Sequence, residues 1–109
     1  MATSTIKDTT YKYASHTDST TGIRCYKVNG TVTVSFEVTG SYTFSGTGST
    51  TVLYTLPAKF RPPMGISFRD RLNSNPFLIN TDGELKPIED ISNVKIRGQV
   101  TYITTNREY

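Results

Sequence analysis

Hydrophobic and polar residues alternate in short runs along most of this chain, and the clearest runs flank an Asn-Gly pair. The segments IRCYKV and TVTVSFEV stand on either side of Asn29-Gly30. Asn-Gly between two alternating runs is the favoured two-residue hairpin turn, because both central residues need a positive φ. Closing that turn pairs Cys25 with Val34 and collects the apolar residues of both strands on one face. A β-hairpin is therefore predicted over 23–38.

Shorter alternating segments follow, separated by loops rich in Gly, Pro and Asn. They are SYTFSG at 41–46, TTVLYTL at 50–56, MGISFR at 64–69, PFLIN at 76–80, ELKPI at 84–88 and a final strand from about Val94 to Ile103. Thr81-Asp82-Gly83 predicts a second hairpin, since Gly readily takes the left-handed backbone conformation. Gly98 interrupts the inward row of the last strand, which is typical of a bulge.

Seven to eight short strands without an amphipathic helix predict an all-β fold, an antiparallel β-sandwich or jelly roll. The composition agrees, with 19 Thr, 10 Ser and only 35% hydrophobic residues in a chain of 109. Residues 1–22 are polar and lack a consistent period, so they are predicted to form an arm that is ordered only where it docks, for instance as a strand. The single sandwich domain is expected to span 23–109.

Charge and cysteine content limit the classes of ligand and partner that the chain is expected to bind. The net charge is +3, but the 12 basic residues are dispersed singly, so no nucleic-acid partner is expected. With one Cys and one His, the chain cannot form an intramolecular disulfide, a Cys-based zinc site or a His-rich metal site. No cofactor is expected. No apolar run is long enough to cross a bilayer, and the first residues carry no secretory signal.

Catalytic chemistry is not expected either. A nucleophilic Cys or Ser needs a base, normally a His that a carboxylate orients. The only His, His16, lies in the polar arm, and Cys25 falls on the predicted core face of its strand, where a thiol behaves as a small hydrophobe. The sequence therefore predicts a protein that is not an enzyme.

Two binding surfaces are candidates. Polar groups of the kind that hold a saccharide or a protein partner gather in one loop, at Arg69, Asp70, Arg71, Asn73 and Asn75. The alternative is that the charged pair lies on an ordinary surface and the asparagines form turns. A second set of residues is suited to an interface with another protomer, because Tyr is enriched at protein–protein interfaces. It comprises Tyr26, Tyr42, Leu53 and Tyr54.

The arrangement VTVSFEVTG…LYTLPAKFRPP…INTDGEL…IRGQVTYIT resembles the small β-sandwich modules of tailed-bacteriophage tail and baseplate proteins. In those modules a strand ends in Leu-Pro, an aromatic-Arg-Pro follows shortly after, and an Asp-Gly hairpin precedes the closing strand. The matching pieces here are Leu56-Pro57, Phe60-Arg61-Pro62, Ile79 to Leu85 and Ile96 to Ile103. The resemblance covers about Val28 to Ile103, and its motifs are structural rather than catalytic.

The resemblance implies a non-enzymatic virion protein of the tail or baseplate, made in the cytoplasm of a bacterial host. It would be a receptor-binding or tail-fibre type, or a small accessory tail protein. Its partners would be other tail proteins or a saccharide of the host surface, and it would form a homotrimer, with a monomer as the close alternative. Two other hypotheses stay open: a free-standing carbohydrate-binding module, and a self-associating trimeric surface domain like those that end collagen-like spore proteins.

Overall fold

The computed structural model describes residues 12–37, 42–44, 52–89 and 91–109. Its strands, in chain order, are β1 (Tyr13–Asp18), β2 (Ile23–Val28), β3 (Thr31–Glu37), β4 (Tyr42–Phe44), β5 (Tyr54–Thr55), β6 (Ile66–Arg69), β7 (Pro76–Ile79), β8 (Glu84–Pro87), β9 (Ile91–Val94) and β10 (Arg97–Ile103). Among these residues no helix is long and apolar enough to cross a membrane.

Two antiparallel four-stranded sheets form the body of the protein. The first sheet has the order β1-β2-β3-β10, the second has the order β5-β8-β7-β6, and β4 pairs with β9 in a separate two-stranded sheet. The predicted all-β antiparallel sandwich is therefore confirmed. The single long strand predicted from Val94 to Ile103 is instead divided, because the chain changes partner from β4 to β3 between β9 and β10.

The Asn-Gly hairpin forms in the predicted register. Asn29 has φ 47° and Gly30 has φ 86°, as a two-residue turn of this type requires. Cys25 lies opposite Val34, and Ile23, two residues back along β2, is fully buried on the same face. Local turn chemistry and the period of two thus determine this part of the first sheet.

The N-terminal arm contributes an edge strand. From Tyr13 onward it pairs with β2 as β1, which puts the start of the sheet ahead of the boundary predicted at residue 23. The inward positions of β1 are a small residue and two polar ones, Ala14, His16 and Asp18, so the segment carries little hydrophobic signal. The earlier part of the arm, 1–11, lies outside the described residues.

Aromatic side chains join the two large sheets. The ring of Phe36 in β3 lies 6.0 Å from that of Phe68 and 5.7 Å from that of Phe77, centroid to centroid. Gly98 lies directly opposite Phe36 in an unbroken register, and a Cβ at Gly98 would come within 2.6 Å of that ring. The predicted bulge is therefore absent at Gly98, whose lack of a side chain instead makes room for Phe36.

The second sheet contains the predicted Asp-Gly hairpin. Asn80 Oδ1 accepts hydrogen bonds from the backbone N–H groups of Asp82 and Glu84, each at 3.0 Å, and Gly83 has φ 83°. The Pro-rich connection before β6 contains one short 3-10 turn at Ala58–Phe60. These turns bring the end of β5 beside β8 and complete the sheet that covers the core.

Candidate functional site

The loop after β6 contains the predicted ligand-binding residues, and Asp70 organises it. The Asp70 side chain is almost completely buried, with 3% of its surface exposed. Its carboxylate accepts backbone N–H groups from Leu72 and Asn73 at 3.3 Å and from Asn75 at 2.6 Å. Short polar side chains that bond to the backbone a few residues ahead stabilise tight loops in this way. Asp70 therefore shapes the loop and does not face solvent.

Two of the other four predicted side chains also bond to the backbone. Arg69 Nη1 donates to the Ser74 carbonyl at 2.6 Å, and Asn73 Nδ2 donates to the Lys95 carbonyl at 3.0 Å. The side-chain nitrogen of Asn75 is buried without a hydrogen-bond partner in the part of the chain described. Of the five, Arg71 remains the exposed side chain that lines a depression in the protein surface.

That depression lies on the outer face of the first sheet, the face turned away from the second sheet. The backbone N–H of Arg71 donates to the Arg97 carbonyl at 2.6 Å and so ties the loop to the start of β10. The cavity volume is about 540 Å³. We call it the arginine groove, and its polar lining comprises Arg24, Ser35, Glu37, Arg71, Arg97 and Gln99.

The strand register explains why these residues meet. Side chains of one face recur at every second position of a strand, and those of paired residues lie side by side. Arg24 in β2 is opposite Ser35 in β3, and Ser35 is in turn opposite Gln99 in β10. The next pair along β3 and β10 is Glu37 with Arg97. Three strands and one loop thus contribute to one polar patch.

The groove carries positive charge. It contains three guanidinium groups and one carboxylate, a net charge of +2. Glu37 Oε1 and Arg97 Nη2 form an ion pair at 2.8 Å whose side chains are 66% and 50% exposed. Exposed pairs of this kind contribute little to stability. Arg24 and Arg71 form no ion pair with any residue that the structure describes, so both guanidinium groups can bind an anion.

The predicted interface residues do not form one patch. Tyr26 lies on the outer face of the first sheet with 39% of its surface exposed. The Tyr54 hydroxyl instead faces His16 of β1 between the sheets, and Leu53 packs against the core. Tyr54 lies in β5, which has two residues and an edge position in the second sheet. The side chain of Tyr42 lies outside the described residues.

The two residues with catalytic chemistry are neighbours across β1 and β2; Cys25 is fully buried and His16 is half-buried. His16 pairs with Cys25 in the register of the first sheet, and its Nε2 is hydrogen bonded to the Tyr54 hydroxyl. Cys25 has no exposed surface, and burial raises the pKa of its thiol to about 12. A protonated, buried thiol is a poor nucleophile.

Lys27 is a buried cation that the sequence pattern did not predict. Lys27 follows Ile23 and Cys25 on the inward face of β2, and none of its surface is exposed. Its Nζ donates to three backbone carbonyls, those of Lys59 at 3.0 Å, Asn106 at 2.6 Å and Glu108 at 2.7 Å. We call this arrangement the Lys27 site.

The Lys27 site holds the last residues of the chain against the sandwich. Lys27 Nζ lies 4.4 Å from the centre of the Tyr109 ring, a distance at which a cation is attracted to the ring face. Burial lowers the pKa of Lys27. Nearby, Thr104 Oγ1 donates to the Arg61 carbonyl at 2.7 Å, which fixes the beginning of the same terminal segment. The site is therefore structural, since its donors are already used by the protein.

Sequence reasoning found one residue of the arginine groove, Arg71, and missed the others. The hairpin register already places Arg24 beside Ser35 on the outward face. Nothing in the sequence shows that β10 joins β3 and brings Arg97 to the same face. In the described residues, no group of three or more His, Cys, Asp or Glu side chains is placed to hold a metal ion.

Comparisons of the sequence with family models and with curated proteins identified no relative. No protein-family model matches the chain, and no curated protein matches its sequence. The all-β sandwich and the arginine groove are consequently the observations from which its function is inferred.

Proposed function

We propose that this chain is a non-enzymatic binding module of the tail or baseplate of a tailed bacteriophage. It would act in adhesion to the host surface or in holding the adhesion apparatus together. The proposal rests on one observation: the nucleophilic thiol is buried in the sandwich, whereas charged groups suited to binding are exposed on its surface. The thiol of Cys25 is fully buried and the imidazole of His16 is hydrogen bonded to the Tyr54 hydroxyl, whereas Arg24, Arg71 and Arg97 are exposed on one side of the sandwich.

The elements on which the resemblance rests have distinct structural roles. Leu56-Pro57 ends the short β5, and the following aromatic, Phe60, is buried at the end of the 3-10 turn. Asp82-Gly83 forms the turn between β7 and β8. The closing segment is β10, which supplies one wall of the arginine groove. These placements support a module of the expected kind.

The test is the location of the protein. Tailed particles from the organism that encodes the chain would be purified on a density gradient and analysed by mass spectrometry and by immunogold labelling. We expect the protein to be present in the particles and the gold to lie on the tail or baseplate. Its absence from purified particles, or labelling of the capsid, would contradict the proposal.

Adhesion and a purely structural role are separated by a binding measurement. The fluorescently labelled protein would be added to cells of the bacterial host, with Arg24→Ala as the test variant. Arg107→Ala is the matched control, because Arg107 is an exposed arginine at the opposite end of the hairpin, beside Asn29 and Gly30. Adhesion predicts that the first variant loses binding and the second retains it.

Self-association is the second candidate, and the outer face of the first sheet favours it. At the end away from the arginine groove, Tyr13, Tyr26 and Ile103 are 48%, 39% and 74% exposed. Large exposed apolar side chains on one face are a feature of protein interfaces. A trimer predicts three times the chain mass by light scattering, and Ile103→Lys should reduce it to a monomer. A wild-type protein that stays monomeric at high concentration would exclude this role.

A further inference from the structure

We infer that the arginine groove binds an acidic carbohydrate, a sugar polymer whose units carry carboxylate groups. An acidic carbohydrate would be the ligand in the proposed adhesion role. Only the origin of that carbohydrate, the surface of the host cell, rests on the proposed function. Two features of the groove support it, its charge and its neutral polar groups, and the described residues around it offer no exposed aromatic platform.

The charge of the groove matches a carboxylate. Guanidinium groups bind carboxylates through two parallel N–H donors, which gives both strength and direction. Glu37 Oε1 already accepts one hydrogen bond from Arg97 Nη2 at 2.8 Å, so the groove accommodates a carboxylate next to a guanidinium. Arg24 and Arg71 provide two further guanidinium groups that no described carboxylate occupies. A ligand with repeated carboxylates can engage both at once.

The neutral lining matches sugar hydroxyls. Ser35 and Gln99 lie side by side in the same cross-strand row as Arg24. A hydroxyl and a carboxamide both donate and accept hydrogen bonds, as the hydroxyl groups of a sugar ring require. The cavity of about 540 Å³ lies within the usual range for small-ligand sites. The groove thus offers separate partners for the acid group and for the ring hydroxyls.

A nucleic acid is the other polyanion to consider, and the lining argues against it. Single strands are held by stacking their bases on exposed aromatic rings, in addition to contacts with phosphate. The aromatic residue that lines the groove is Phe36, whose side chain is 2% exposed and packs against Phe68 and Phe77 in the core. The groove therefore lacks a stacking surface among the described residues.

The test measures binding of defined polymers to the full chain by isothermal titration calorimetry. The probes are polygalacturonate oligosaccharides, phosphomannan oligosaccharides, neutral dextran oligosaccharides and a single-stranded DNA of equal charge. We expect the polygalacturonate to bind at least tenfold more tightly than each of the other three. The affinity should fall when the salt concentration is raised from 50 to 300 mM, because the contacts are exposed ion pairs.

Variants locate the site and separate it from general attraction by charge. Arg24→Ala with Arg71→Ala should weaken polygalacturonate binding at least tenfold, while Arg107→Ala leaves it within twofold. Glu37→Gln should tighten binding two- to fivefold, because it frees the Arg97 guanidinium. All these side chains are exposed, so thermal unfolding of each variant should match that of the wild type and show that the fold is retained.

The inference is overturned if polygalacturonate does not bind, or if dextran, phosphomannan or DNA binds as tightly. It is also overturned if the double variant and Arg107→Ala lose affinity equally. These results are separable from the location experiment. A protein that is found in tails but ignores polygalacturonate leaves the proposed function standing without this ligand, and one that binds polygalacturonate but is absent from particles does the reverse.

Discussion

Arg24 and Lys27 are three residues apart on β2, and they use their charge in opposite ways. Lys27 points into the sandwich, has no exposed surface and gives its ammonium protons to three backbone carbonyls. Arg24 points outward into the arginine groove and has no charged partner among the described residues. The same strand thus carries one cation that stabilises the fold and one that is available for a ligand.

The difference shows that burial, rather than charge, determines what a cation can do here. A buried charge is tolerated only when hydrogen bonds satisfy it, and removing it leaves its partners unsatisfied. An exposed arginine contributes little to stability and can be exchanged at low cost. The pair therefore predicts large stability effects on the inner face of β2 and binding effects on the outer face.

Lys27→Met should produce the largest loss of stability. It preserves most of the side-chain volume but leaves the carbonyls of Lys59, Asn106 and Glu108 without their shared donor. We expect a loss of about 2–4 kcal/mol in the free energy of unfolding, measured by urea denaturation. Arg24→Met is the matched control and should change it by less than about 0.5 kcal/mol. Equal effects of the two variants would contradict the comparison.

Asp70→Ala should come next, because Asp70 determines the position of the loop that carries Arg71. Three backbone N–H groups lose their acceptor in a nearly buried place, so we expect a loss of about 2–3 kcal/mol. Binding to the arginine groove should also weaken as the loop rearranges. Asp82→Ala, an exposed acidic residue in another turn, is the control. A stable Asp70→Ala variant with unchanged loop amide shifts would show that the carboxylate is dispensable.

Gly98→Ala tests the packing between the inner face of β10 and Phe36. The added Cβ would lie 2.6 Å from the Phe36 ring, so the ring must move, at a cost of about 1–3 kcal/mol. Gly65→Ala is the matched control, since its Cβ would meet its nearest neighbour, a Leu78 methyl carbon, at 3.4 Å. Combining Gly98→Ala with Phe36→Leu should recover part of the loss. Additive effects of the two changes would refute the proposed contact.

Cys25 gives the smallest effect, and it depends on pH. Its thiol pKa is raised from 9.0 to about 12 in the folded protein, because burial disfavours the thiolate. Between these values the unfolded chain loses the proton while the folded chain keeps it, so stability falls as the pH rises. We expect the wild type to lose about 1 kcal/mol more than Cys25→Ala between pH 8 and pH 10. Parallel curves for the two proteins would show that the thiol is not protected.

Much of the fold could be predicted because it rests on local signals. The Asn29-Gly30 turn and the alternation on both sides of it determine the register of β2 and β3, and the Asp82-Gly83 turn does the same for β7 and β8. The pairing of β10 with β3 could not be predicted, since it joins residues that are 60 (Arg97 and Glu37) to 72 (Ile103 and Thr31) positions apart, and no local pattern identifies the partner strand. The arginine groove depends on that pairing, and so only Arg71 was found.

The Lys27 site was missed for a related reason. A lysine at an inward strand position conflicts with the hydrophobic period, because the period predicts an apolar residue there. Its partners are backbone carbonyls of the Pro-rich connection and of the last residues, and carbonyls carry no sequence signature. A conflict between period and residue type on an otherwise regular strand is therefore worth treating as evidence of a buried polar site.

The account is tested most directly by NMR of the ¹⁵N-labelled protein titrated with a polygalacturonate oligosaccharide. It predicts that the largest shifts occur at the side-chain Nε–H signals of Arg24, Arg71 and Arg97 and at the backbone amides of Ser35 and Gln99. The amides of the Lys27 site should stay unchanged. Shifts centred on the terminal segment 104–109, or no shifts at saturating sugar, would contradict the assignment of the arginine groove as the binding surface.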